Sequence, residues 1–215
     1  MRITLLGATG RVGRLILASA LQEGFAVTAI VRSPEKLAEV TDGENDAFVA
    51  GKLTLLQGSV LDAELLDTAV EGADAVVSAL STDGGTTLSD SVPLLIRAME
   101  KHAVKRLIAI GTAGVLQSRA EPELLRYQSS ESRRSLTRAA EEHHAMLQIL
   151  QQSTLDWTLV CPTYLPEGEY TGVYRTERDF LPEGGKQIST GDTADFAFRL
   201  LSSDEWLHCR VGLAY

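Results

Sequence analysis

Cysteine is scarce: Cys161 and Cys209 are the two in 215 residues, too few and too far apart for a disulfide framework, and both are expected to be reduced. No apolar run approaches the length of a membrane span, and no charged leader precedes a long apolar segment, so a soluble cytoplasmic protein is expected. Basic residues are outnumbered: 20 Lys and Arg against 29 Asp and Glu give a net charge of −9, which argues against a general nucleic-acid or anionic-membrane surface and points to a small-molecule partner. Internal repeats and low-complexity tracts are missing as well. The oligomeric state stays open, with a monomer compatible. The remainder is ordinary for one globular domain, with 44% hydrophobic and 23% charged residues.

Short apolar runs alternate with helix-like segments. Strands are expected at Ile3–Leu6, Ala26–Val31, Leu53–Leu56, Ala75–Ala79, Arg106–Ile110 and Trp157–Val160. Helices are expected at Arg11–Gln22, near Pro34–Glu39, and at Ala63–Val70, Leu88–His102 and Ser132–Gln152, with a polar loop at Val40–Lys52. Near-continuous apolar strands separated by amphipathic helices predict an α/β doubly wound parallel sheet of Rossmann type, covered on both faces. The tail, 161–215, suggests strands at Gly172–Thr176, Lys186–Ile188 and Cys209–Leu213 around a helix Asp192–Leu201. It is too short for an independent substrate domain, so it reads as a C-terminal extension of a single domain that contributes to an open acceptor cleft.

The strongest local signal is Gly7-Ala8-Thr9-Gly10-Arg11-Val12-Gly13, between the first strand and the first helix. Glycines at this spacing let the backbone approach a pyrophosphate, and the helix N-terminus faces the negative charge. A dinucleotide is the expected cofactor. At the end of the second strand, where NAD-preferring sites carry a carboxylate for the ribose hydroxyls, this chain has Arg32-Ser33-Pro34, with Lys36 beyond. A guanidinium and a hydroxyl suit a 2′-phosphate, which favours NADPH, and Arg11 could add charge from the facing side.

A reductase acting on an isolated ketone needs a proton donor, commonly a Tyr with a Lys four residues on. No tyrosine here fits: Tyr127 is followed at that spacing by Glu131, Tyr164 by Gly168, Tyr170 by Tyr174 and Tyr174 by Arg178, and Tyr215 is the last residue. An acceptor that needs little electrophilic help is implied, such as a flavin or a linear tetrapyrrole, whose delocalised system takes up the hydride's charge while solvent supplies the proton.

The chain resembles the biliverdin-IXβ reductase/flavin reductase family, within the atypical short-chain dehydrogenases. The resemblance rests on Gly7-Ala8-Thr9-Gly10, Val31-Arg32, Asp74-Ala75-Val76, Ala98 to His102, Glu142-His143, Met146, Pro162, Thr171 to Tyr174 and the closing run from Ser203 to Tyr215. It implies cofactor contacts from Gly7, Thr9, Gly10, Arg11, Val12, Arg32 and Lys36, from Ser59 and Val60 near the adenine, from Leu80 and Ser81, and from Pro162 near the nicotinamide. Thr112 matches the family's Ser beside the nicotinamide, and His143 a position close to the active site. Two departures stand out: Thr163-Tyr164 replaces a Pro-His pair, and Ser59 replaces an Asp. Tyr164 could stack on a planar acceptor. His143 and His144 diverge by about 100° around a helix, so they form no two-histidine metal face, and no metal is expected. Arg133, Arg134 and Arg138 could form a basic rim for acidic groups of an acceptor. Two other readings remain: an NmrA-like sensor that binds NADP(H) and a regulatory partner without catalysis, and a quinone reductase or epimerase relative.

Overall fold

The computed structural model describes residues 1–37, 51–82, 84–132 and 135–215. Its elements are β1 (Arg2–Leu6), α1 (Gly13–Gln22), β2 (Ala26–Val31), β3 (Leu53–Gln57), α2 (Ala63–Val70), β4 (Ala75–Ser78), α3 (Thr87–Lys101), β5 (Arg106–Ile110), α4 (Arg138–Gln151), β6 (Asp156–Pro162), β7 (Arg175–Arg178), α5 (Thr190–Arg199) and β8 (Cys209–Ala214). They build one eight-stranded sheet in the order β3-β2-β1-β4-β5-β6-β8-β7, parallel throughout except for β7, which runs antiparallel to β8 at the edge.

The apolar strand runs arise because both faces are covered. Successive residues of one strand point to opposite sides. Ile3 and Leu5 join the layer of α1 and α5, with Ile16, Leu17, Ala194 and Ala197. Leu6 joins the opposite layer of α2, α3 and α4, with Leu66, Leu95, Met99 and Met146. Thr4 is the polar exception on β1, fully buried, and its hydroxyl donates to the Ala69 carbonyl at 2.6 Å. Helix starts follow local chemistry. The Asp62 side chain accepts from the Glu64 and Leu65 amides at 3.0 and 3.1 Å to cap α2, and Ser189 caps α5 through the Asp192 amide.

Several sequence expectations shift. Lys186–Ile188 is not a strand: it makes a single bridge, Gln187 with Tyr164, because β7 and β8 already complete the edge. The expected Gly172–Thr176 strand lies further on, at β7, since Thr171 and Gly172 donate their amides to Asp192 instead of to a neighbouring strand. The helix expected from Ser132 starts at Arg138, and the one expected from Arg11 starts at Gly13. Helical residues begin at Glu35 in the segment near Pro34, whose continuation and most of the polar loop lie outside the described residues. Residues 161–215 extend the same sheet: β8 pairs directly with β6, and α5 packs on α1.

Because β1 lies between β2 and β4, the sheet changes winding direction there, and a crevice opens at the carboxyl ends of the strands.

Candidate functional site

The turn after β1 is built by glycine for steric reasons. Gly7 has φ +79°, and a Cβ on it would sit 2.5 Å from the Ala79 carbonyl oxygen beyond β4. A Cβ on Gly13 would sit 2.1 Å from the Gly7 carbonyl oxygen, so α1 rests directly on the turn. The Gly10 amide donates to Gly7 at 2.9 Å and closes the turn. No side chain caps α1, in contrast to α2 and α5. A bare helix start behind a glycine turn is a cradle for phosphate, and it fits the diphosphate of a nicotinamide dinucleotide.

The turn opens into a cavity of about 520 Å³, within the range of small-molecule sites. The structure brings most of the expected residues together there. Gly7, Thr9, Gly10, Arg11 and Val12 form one wall, Arg32, Ser59 and Val60 lie on the β2–β3 side, Leu80 and Ser81 follow β4, and His143 lines the side covered by α4. Lys36 is exposed and does not line the cavity, and Pro162 is buried at the end of β6, outside the lining.

Three expected residues are used differently. Arg11 lines the cavity, but its guanidinium donates to the Leu165 carbonyl at 2.9 Å, and Arg14 lies 3.7 Å from Glu167. Together they clasp the glycine turn to the segment after β6. The Thr112 hydroxyl accepts from the Gly114 amide at 3.4 Å and caps the single helical turn Ala113–Val115, away from the cavity lining. Tyr164 is 59% exposed and also outside the lining. Its carbonyl accepts from the Ile188 amide at 3.0 Å, and the next residue, Leu165, forms the cavity wall.

The two histidines diverge as helix geometry requires. His143 is 8% exposed, and its Nδ1 is enclosed with no hydrogen-bond partner. Burial pushes its pKa down to about 4, so the imidazole is neutral near pH 7. His144 turns away, its Nδ1 2.9 Å from the Tyr127 hydroxyl. Between α3 and α4, Glu142 is buried at 9% exposure and accepts from the Ser89 amide and hydroxyl at 3.2–3.3 Å. Arg138 donates to the Gly84 carbonyl at 3.0 Å, while Arg133 and Arg134 lie outside the described residues. Among the described residues, no group of three or more His, Cys, Asp or Glu could hold a metal ion, and no helix is long and apolar enough to cross a membrane. Cys161 and Cys209 are both buried and free.

Sequence reasoning missed Thr87, Ile110, Gly111 and Leu165, which line the same cavity. Thr87 begins α3 and Ile110 ends β5. Their positions at element ends on the carboxyl side of the sheet are the signal that marks them. Leu165 had no such signal, since only the clasp to Arg11 places it.

A model of the NAD(P)H-binding family matches residues 7–204. Over most of its length the chain is similar to YwnB of Bacillus subtilis, 28% identical over 212 residues that cover 95% of this chain and 92% of the other. It is similar in part to the isoflavone reductase homolog IRL of Zea mays, 31% identical over 105 residues. That span is 49% of this chain and 33% of the maize protein. Among solved structures, a Streptococcus pneumoniae protein provisionally named an NADH-flavin reductase superposes with a TM-score of 0.79 at 24% identity, covering 100% of this chain and 99% of that one.

Proposed function

The chain belongs to the NAD(P)H-binding family, and from that premise we propose that it is an NADPH-dependent reductase whose acceptor is a flat conjugated molecule, a flavin or a linear tetrapyrrole. The observation that carries the reading is a cavity whose lining holds two unlike groups. Arg32 faces it on the β2–β3 side, and a neutral, unpaired imidazole faces it on the α4 side. The glycine turn and the uncapped start of α1 would bind the diphosphate. Arg32 would donate to a 2′-phosphate, which a carboxylate at that place would repel.

When bound, the nicotinamide supplies a hydride, one hydrogen with both electrons of its bond. The chain's own residues then have to orient the acceptor and exclude water from one side of it, which Ile110, Gly111 and Leu165 can do as cavity walls. His143 cannot act as an imidazolium acid at neutral pH, because burial keeps it uncharged. The proton that completes reduction would come from water at the open mouth. The names of the maize and streptococcal relatives, one an isoflavone reductase homolog and one provisionally an NADH-flavin reductase, agree with a conjugated acceptor.

The test is stopped-flow mixing of protein and NADPH with FMN, riboflavin or biliverdin. Oxidation of NADPH well above the protein-free rate with one of them is the expected result. Background rates with all three, alongside firm NADPH binding, would reject the reductase in favour of a non-catalytic NADP(H) sensor.

A further inference from the structure

The cavity carries its described cations at the glycine turn and after β2. Among the described residues that line it, Arg11 and Arg32 are the positively charged ones, one in the glycine turn and one after β2. The side under α3 and α4 is walled by Thr87, Ile110, Gly111 and His143, while Leu165 stands beside Arg11, whose guanidinium donates to its carbonyl. The α3 side lies at the N-terminus of that helix, a place that would ordinarily favour an anion. Two carboxylates already occupy that helix start. Asp90 accepts from the Thr86 hydroxyl at 2.6 Å, and Glu142 reaches across from α4 to the Ser89 amide and hydroxyl. Arg138, the described cation nearest in the chain, is held by the Gly84 carbonyl.

We propose that this inner subsite selects an uncharged ring bearing a carbonyl, that His143 donates a hydrogen bond to that carbonyl, and that the buried Glu142 carboxylate excludes anionic rings. The inference rests on the reductase reading for its conjugated acceptor and adds the charge class of the part that enters. Nδ1 of His143 is sealed from solvent and from every partner, so Nε2 is the ring nitrogen left to meet a ligand. An enclosed N–H without an acceptor is the costlier arrangement, which puts the proton on Nε2 and makes it a neutral donor. Glu142 lies behind the lining, one residue before His143 on α4, and its charge would act on a carboxylate, sulfonate or phosphate at this place through a medium that screens charge poorly. Glu142 is a positioning residue as well: it ties α4 to the first turn of α3 two residues beyond Thr87, and so sets the imidazole against the cavity.

The test uses the intact protein saturated with NADP⁺ and two anthraquinones substituted at both ends, so that neither can hide its substituents by turning round. One carries neutral hydroxymethyl groups at positions 2 and 6, and the other is the 2,6-disulfonate. Calorimetric titration should show the neutral ring bound at least ten-fold more tightly. Glu142→Gln should narrow that gap to about three-fold or less, and His143→Phe should weaken the neutral ring three- to ten-fold, with thermal unfolding confirming that each variant folds.

Equal or tighter binding of the disulfonate to the wild type overturns the proposal, as does failure of both rings to bind. A gap unchanged in Glu142→Gln overturns the role of Glu142. If that variant does not fold, the wild-type ratio decides charge selection, and Ser89→Ala, which removes only the hydroxyl donor, reports on the positioning of His143 through the affinity of the neutral ring. NADPH turnover with FMN, riboflavin or biliverdin, on NADP⁺-free samples of the same proteins, separates the two readings. Preferential binding of the neutral ring with background turnover of all three acceptors removes the reductase and leaves the subsite. Reduction without preference does the reverse.

Discussion

Replacing Gly13 by alanine sets two effects of known size against each other. Gly13 is the first residue of α1, where alanine has the better intrinsic preference by about 1 kcal/mol. The new methyl would stand 2.1 Å from the Gly7 carbonyl oxygen and 2.8 Å from its carbon, both backbone atoms that cannot rotate away. Relieving that contact means moving α1 or the turn by roughly 1 Å, and overpacking of this kind costs about 1–3 kcal/mol, here at the upper end. The same oxygen accepts from the Gly10 amide at 2.9 Å, so its displacement endangers another hydrogen bond worth about 1 kcal/mol. Sterics win, and Gly13→Ala should destabilise the protein by about 2–3 kcal/mol in urea unfolding.

The cofactor supplies a second readout on the same curves. NADPH at one hundred times its dissociation constant should stabilise the wild type by about 2.7 kcal/mol, and a ten-fold loss of affinity would cut this to about 1.4 kcal/mol at the same concentration. The variant should lose at least that much of the increment, because the displaced turn is the phosphate cradle. A variant as stable as the wild type, with the NADPH increment intact, would refute both the packing argument and the placement of the diphosphate.

Arg32→Ala should weaken NADPH binding by about 1.5–3 kcal/mol relative to NADH, measured by calorimetry, and equal losses for both would remove the 2′-phosphate contact. Asp192 is fully buried and accepts from the Thr171 and Gly172 amides and from the Thr171, Ser189 and Tyr215 hydroxyls. Burial pushes its carboxyl up, but the hydrogen bonds from Tyr215, Gly172 and Thr171 outweigh it, and the group titrates below the usual carboxylate range. A depressed folded-state pKa stabilises above the unfolded value of about 4, and that stability is lost as pH falls through the folded value. Asp192→Asn should therefore cost about 1.5–3 kcal/mol at pH 7, less as the pH drops below 4, and a constant cost across that window would contradict the assignment. Burial raises the pKa of both thiols, that of Cys209 to about 11. A disulfide reagent should modify neither cysteine in the native protein and both in denaturant, and rapid native labelling would show that the sheet opens around β6 and β8.

The layered sheet was legible in the residues because strands buried on both faces leave an unmistakable apolar run, as at Ala75–Ser78, where all four residues are buried. The edge was less legible. The Lys186–Ile188 segment has the look of a strand but meets β-partners at one position, and whether a short segment pairs depends on what already lies alongside it. Thr112 shows the same limit at the site. A hydroxyl after β5 suits either a ligand or a turn, and here its oxygen accepts from the Gly114 amide in a turn outside the cavity lining. Tyr164 is a residue type that could stack on a planar acceptor, but the neighbouring Leu165 is the one in the cavity wall, since the turn direction after β6 is set by Ile188 and Arg11 from far along the chain.

What the amino-acid order determined by itself is everything carried by near neighbours: the alternation of elements, the glycine turn, the arginine closing β2 and the divergence of two adjacent histidines. These follow from steric limits on φ and from helix and strand periods, which act over a few residues. Tertiary structure alone decided which groups are withdrawn from water and by whom. The neutral state of His143, the seating of Glu142 on α3 across 53 positions and the capture of Arg11 by a carbonyl 154 residues away all depend on surfaces brought together only when the sheet closes. Charge state and hydrogen-bond partner are properties of an environment, and distant residues supply that environment.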